Sequence, residues 1–108
     1  MKNFKLNEKD ILSNQDWTFP TTTYYGPGRF NEIGKFCEEF DIKNPLIVTD
    51  SGSKDLPFIK KLIALLSKNN IKSDLFYNIS PNPRDDEISK GCDQFKNGSH
   101  DSIIAIGG

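Results

Sequence analysis

Four residues at the ends of apolar runs carry the chemistry this sequence can offer: Asp50 after Leu46-Ile47-Val48-Thr49, Asn82 within Ser80-Pro81-Asn82-Pro83, and Gly107 and Gly108 after Ile103-Ile104-Ala105-Ile106. A diglycine leaving a buried strand suits a turn whose amides face a phosphate, because glycine has no Cβ and its backbone can approach the anion closely. An aspartate at the end of such a strand can accept hydrogen bonds from both hydroxyls of an adenosine ribose. Its charge repels a 2′-phosphate, which favours NAD over NADP. Each residue also has a plainer reading. Asp50 suits the cap of the turn Asp50-Ser51-Gly52-Ser53, Asn82 before Pro83 suits a helix N-cap with proline at the first helical position, and two glycines serve any tight turn.

The remaining reactive types point away from catalysis by this segment. His100 is the single histidine and lies in Gly98-Ser99-His100-Asp101, at the amino end of the last strand and so opposite the expected site. Asp85, Asp86 and Glu87 fall in the first turn of a helix, where negative charge compensates the helix dipole. Cys37 and Cys92 form no Cys-x-x-Cys pair and read as two buried free thiols on apolar helix faces. No nucleophile stands beside a base, and no set of side chains has metal-ligand spacing, so no catalytic or metal residue is assigned.

The elements that must position these residues can be read from periodicity. Polar residues 1–16 form an arm without sustained periodicity, and 17–108 form one partial dinucleotide-binding domain. Thr21 to Tyr25, with Trp17 before them, predict a strand ended by Gly26-Pro27-Gly28, and Phe30, Ile33, Cys37 and Phe40 recur as the buried stripe of a helix. Then come a strand over 45–49 and a helix striped by Leu56, Ile59, Leu62, Ile63 and Leu66, stopped at Asn69-Asn70. A strand over 74–78, a helix opened by Asn82-Pro83 and striped by Ile88, Cys92 and Phe95, and a strand over 102–106 follow. This βαβαβ order predicts an α/β fold, a partial doubly wound, Rossmann-like parallel sheet preceded by an extra amino-terminal strand and helix. Ligands then bind beyond the carboxyl ends of the strands, where Asp50, the Asn82 turn and the glycines converge. A G-x-G-x-x-G fingerprint is absent from the turn after the first buried strand, so a standard Rossmann site is not expected. The last strand runs into Gly107-Gly108 as the sequence stops, and the chain reads as a fragment.

Composition excludes several partners. The 108 residues carry 14 basic and 15 acidic side chains for a net charge of -1, which provides no one-signed field for nucleic acid or an anionic membrane. No apolar run approaches a bilayer span and no apolar leader follows Met1, so a cytoplasmic protein is expected.

Taken in order and spacing, Trp17-Thr18-Phe19-Pro20-Thr21-Thr22, Tyr25-Gly26-Pro27-Gly28, Leu46-Ile47-Val48-Thr49-Asp50, Ser80-Pro81-Asn82-Pro83 and Ile104-Ala105-Ile106-Gly107-Gly108 resemble the amino-terminal domain of iron-containing (group III) alcohol dehydrogenases. In that family the last strand continues as Gly-Gly-Gly-Ser and a helix that binds the pyrophosphate, so this chain looks cut two residues short of the motif. The resemblance implies that Asp50 meets the adenosine ribose, Asn82 lies near the cofactor, and Gly107 and Gly108 meet the pyrophosphate. It also implies hydride transfer between a small alcohol or aldehyde and NAD(P), with a divalent metal, iron or zinc, held by a later helical domain of the full-length enzyme, and a homodimer formed through the amino-terminal strand. The fragment alone is expected to be inactive. Two alternatives stand beside this: a fragment of a glycerol dehydrogenase or dehydroquinate synthase-like enzyme, and a non-catalytic nucleotide-binding or interaction module.

Overall fold

Pro45–Val48 forms β1, buried from its first residue, and the whole fold is arranged around it. The computed structural model describes residues 21–107; the arm over 1–16, the residues 17–20 and Gly108 lie outside the described residues. β1 is followed by α2 (Pro57–Lys68), β2 (Asp74–Phe76), α3 (Asp85–Asn97) and β3 (Ser102–Ala105), and preceded by a 3-10 turn (Arg29–Glu32) running into α1 (Ile33–Glu39). The three strands are parallel in the order β2-β1-β3. Ile47 pairs with Leu75 on one side and with Ile104 on the other. The α/β class and open parallel sheet expected from the sequence are therefore present.

Strand alternation sends neighbouring residues of β1 to opposite faces. Ile47 joins Cys37, Leu62, Leu66 and Ile71 in the core, with Leu75, Ile104 and Ile106 packed beside them, so α1 and α2 cover this face. Leu46 and Val48 point the other way, toward α3, where they line a cleft of 360 Å³ with Phe76, Ile88, Phe95 and Ile103. Gly91 lets α3 approach the sheet there: a Cβ at this position would sit 3.1 Å from the Phe76 ring. Gln94 ties the same helix to β2, its Nε2 donating at 3.1 Å to both the Asp74 carboxylate and the Leu75 carbonyl.

Several local expectations need correction. Thr21 to Tyr25 are exposed and form no strand; Tyr24 instead stacks on Phe36 at 4.2 Å, and Arg29 lies 5.3 Å above the Tyr24 ring while pairing with Glu32 at 2.7 Å. β-propensity alone does not make a strand, and among the described residues this segment pairs with neither open edge of the sheet. Phe40 is exposed: it caps the end of α1 just past Glu39, its amide still bonded to the Phe36 carbonyl, and the chain turns away after it at Asp41, left-handed at φ 56. Leu56 is extended and precedes α2, with Pro57 taking the first helical position. Cys37 is buried as expected, but Cys92 is exposed, since nothing among the described residues closes the β3 side of the α3 face. Asn82 is not the N-cap of α3. Arg84 holds that position in an extended conformation, because the Glu87 carboxylate reaches back to the Arg84 amide at 2.9 Å and fixes the helix start there. Asp85, Asp86 and Glu87 do form the first turn. At the other end of α3, Ser99 takes the left-handed residue (φ 53), while Gly98 remains right-handed and makes room for the His100 ring.

No helix among the described residues is long and apolar enough to cross a membrane.

Candidate functional site

Because the second strand lies on one side of the first and the third on the other, the chain reverses direction across the sheet between β1 and β3. In open α/β sheets, ligands bind at such a reversal, beyond the carboxyl ends of the strands. The residues leaving those ends are Thr49 and Asp50 from β1, Ile106 and Gly107 from β3, and the loop over 77–84 from β2. The strand ends stay in register to the last residue: the Ile106 amide donates to the Val48 carbonyl and the Thr49 amide to the Phe76 carbonyl, each at 3.0 Å. Asp50 and Gly107 thus leave adjacent strands on the two sides of the reversal. Gly108 lies outside the described residues.

Asp50 is half-buried and oriented by its own turn. The Ser53 hydroxyl donates to Asp50 Oδ2 at 3.1 Å and the Ser53 amide to the Asp50 carbonyl at 3.1 Å. A Cβ at Gly52 would sit 3.3 Å from Asp50 Oδ1, so the small residue at that position keeps the second oxygen clear. The capping reading and the ligand reading of Asp50 are therefore compatible: one oxygen accepts from Ser53 and the other is left for a further donor. Beside it, the Thr49 side chain is buried, and its Oγ1 has no hydrogen-bond partner among the described residues.

Gly107 meets nothing within 4 Å where a Cβ would stand. Packing among the described residues thus does not require glycine there, and the space a side chain would fill is open to an approaching anion.

The loop after β2 is bound to the Asp50 turn. The Ser51 amide donates to the Ile79 carbonyl at 3.3 Å. Glu87 Oε2 accepts from the Ser80 amide at 3.1 Å, and Oε1 from the Arg84 amide. The Ser80 hydroxyl lies 2.8 Å from Glu87 Oε1 and 2.9 Å from the Asn82 carbonyl, with one proton to share between them. The Arg84 amide, foremost, and the Ser80 hydroxyl hold the Glu87 carboxyl below its ordinary pKa. Asn82 sits on the span between these anchors, exposed, and its side-chain amide makes no hydrogen bond among the described residues.

The sequence placed Asp50 and Gly107 at strand ends and Asn82 in the loop after β2, as the structure does, but did not single out Ser53, which bonds Asp50, or Glu87 as the tie of the Asn82 loop. Asp-x-x-Ser after a strand and a glutamate three residues past Arg84 are the signals that were available, the second obscured because an arginine cap has no acceptor to complete the box.

His100 lies at the opposite, amino edge. It is buried, and its Nδ1 donates to the Asn44 carbonyl at 3.0 Å. Beside it the Asp101 carboxylate accepts from the Lys43 amide at 2.7 Å and the Asn44 amide at 3.1 Å, while the Asn44 side chain donates to the Gly98 and Ser99 carbonyls. These bonds clamp the start of β1 to the start of β3. Among the described residues no three His, Cys, Asp or Glu side chains gather, so they form no seat for a divalent metal.

The comparisons with known proteins agree with this geometry. Residues 20–108 match the model of the family described as iron-containing alcohol dehydrogenase. The chain is 27% identical over 95 residues to the 1,3-propanediol dehydrogenase of Klebsiella pneumoniae, covering 86% of this chain and 24% of that protein. Among solved structures, 1,3-propanediol oxidoreductase superposes with a TM-score of 0.80 at 28% identity, covering 86% of this chain and 24% of the other. Sulfoacetaldehyde reductase from Bifidobacterium kashiwanohense, solved in complex with NAD+, superposes with a TM-score of 0.76 at 27% identity over the same shares. The chain thus spans about a quarter of the length of the relatives it matches. These matches do not favour the glycerol dehydrogenase or dehydroquinate synthase-like alternative. With a parallel sheet that reverses between β1 and β3, and Asp50 and Gly107 leaving the ends of those strands, this chain belongs to the iron-containing alcohol dehydrogenase family as a segment of its amino-terminal region.

Proposed function

We propose that this chain is the NAD-binding portion of a metal-dependent alcohol dehydrogenase that transfers a hydride between a small alcohol or aldehyde and NAD. The observation that carries the reading is the placement of Asp50 and Gly107 on adjacent strands flanking the reversal of the sheet. NAD, when bound, supplies the hydride acceptor. The chain's own contribution is to bind and orient. The Asp50 oxygen left clear by Gly52 accepts from the adenosine ribose hydroxyls, and its charge disfavours the 2′-phosphate of NADP. Gly107, followed by Gly108, lets the main chain approach the pyrophosphate, and Asn82 offers a side-chain amide at the same edge.

The described residues do not seat iron or zinc, so the metal belongs in this proposal to the parent enzyme outside them, and this chain alone is inactive. A cytoplasmic location and a homodimer formed through the exposed Thr21–Tyr25 segment are parts of the same proposal. Net charge supports the absence of nucleic-acid and membrane partners.

Calorimetric titration of the purified chain with NAD and NADP, beside Asp50→Gly, tests the reading. NAD should bind at least roughly tenfold more tightly than NADP, and Asp50→Gly should erase the preference. Equal affinity for both nucleotides in the unaltered chain, or a preference that survives Asp50→Gly, overturns the role of Asp50. A folded chain that binds neither overturns the claim that this segment forms a nucleotide site.

A further inference from the structure

We propose that Glu87 is a positioning residue of the nucleotide site: its carboxylate holds the loop that presents Asn82, acting through the loop and touching no ligand itself. The inference rests on the nucleotide reading of the strand edge and assigns to it a residue that sequence reasoning gave only to the helix dipole.

A carboxylate that merely balances a helix dipole needs no particular partner. Glu87 has three. Its two oxygens accept from the Ser80 amide, the Ser80 hydroxyl and the Arg84 amide, at 3.1, 2.8 and 2.9 Å, so one side chain grips both ends of the span that carries Asn82. Within that span the Ser80 hydroxyl also lies 2.9 Å from the Asn82 carbonyl, which draws the middle of the loop toward the same anchor. The grip extends toward Asp50, because Ile79, next to Ser80, accepts from the Ser51 amide. Glu87, the Asn82 loop and the Asp50 turn are therefore one hydrogen-bonded unit, and the Asn82 side chain is a polar group in it with no partner among the described residues. A carboxylate suits the role because it only accepts, and every group facing it here donates. The Arg84 guanidinium makes its own ion pair with Asp86 at 3.2 Å and adds a favourable positive charge near Glu87.

Glutamine keeps the length of the side chain but replaces one acceptor with an N–H pair that must face the Ser80 or Arg84 amide. The test is NAD titration of the whole chain and its Glu87→Gln and Ser80→Ala variants. Amide exchange at Ser80 and Arg84 and the thermal midpoint are measured on the same samples. Glu87→Gln should weaken NAD binding roughly tenfold and Ser80→Ala roughly threefold, with faster exchange at both amides. NADP should weaken by the same factor, since Asp50 is untouched. If Glu87→Gln lowers the thermal midpoint but leaves NAD affinity unchanged, Glu87 is only a helix cap and the inference is overturned. If the unaltered chain binds no NAD, the nucleotide reading itself fails and takes the inference with it; these two failures are distinguished by the unaltered chain alone.

Discussion

The two faces of one sheet differ sharply in how far this chain completes them. On the α1/α2 face, Ile47, Leu62 and Leu66 are 0% exposed. On the α3 face Leu46 and Phe76 are buried, but no residue of α3 itself is, and Ile88 of its apolar stripe and Ile103 of β3 remain 57% and 60% exposed. An amphipathic pattern states what a helix can bury, while the burial it achieves depends on what lies opposite. The closed face contributes more buried apolar surface to this segment, and the outer part of the α3 face is an exposed apolar surface that favours association.

The largest effect should separate the faces directly. Leu62→Ala should cost about 3 kcal/mol by the cavity it leaves in a closed core, while Ile88→Ala should cost under about 1 kcal/mol. Equal losses in urea unfolding would break the comparison.

A second effect probes the amino-edge clamp, which joins the two strands that both faces share. Partial burial works to raise the Asp101 carboxyl, but the Lys43 and Asn44 amides, with the Ser102 hydroxyl, bring it below its ordinary pKa. A carboxyl lowered on folding stabilises the native state above its unfolded pKa, and that contribution is lost as pH falls through the lower folded value. Asp101→Asn should therefore be less stable than the parent at pH 7, and the gap should narrow as acid brings the parent below about pH 4. A gap that widens in acid would contradict the assignment. The smallest effect is on stability and the most visible on solubility: Ile103→Ser should change unfolding free energy by no more than about 0.5 kcal/mol yet reduce light scattering of concentrated samples. Unchanged scattering would place the sticky surface elsewhere.

Much of this molecule was legible in its residues because the signals were local. Leu46-Ile47-Val48 announces a doubly covered strand, the Ile59, Leu62, Leu66 stripe announces α2, and Asn70, left-handed at φ 60, ends it as expected. The places of Asp50 and Gly107 at the carboxyl ends of β1 and β3 were readable because each directly follows an unbroken apolar run. The order β2-β1-β3 was not readable, since βαβαβ is compatible with the third strand on either side. Nor was the start of α3: Asn82-Pro83 is the better local cap, and it loses to three hydrogen bonds that Glu87 forms only once the loop has folded back. Cys92 and Thr21–Tyr25 were misjudged for one shared reason, that burial and pairing require a neighbour the local sequence does not name.

The strand order also governs the sequence of events in folding. β1 is the first of the described strands, yet it takes β2 on one edge and β3 on the other, and Pro45 pairs with Ser102 across a separation that spans both helices between them. The β1–α2–β2 unit can close early, since its contacts are comparatively local, whereas the second edge of β1 must wait for the most distant partner and bear the full loop-closure entropy. During that interval an apolar central strand exposes unpaired backbone, so the wait for β3 is the stage at which a chaperone, or a second unfinished copy, would compete for that edge.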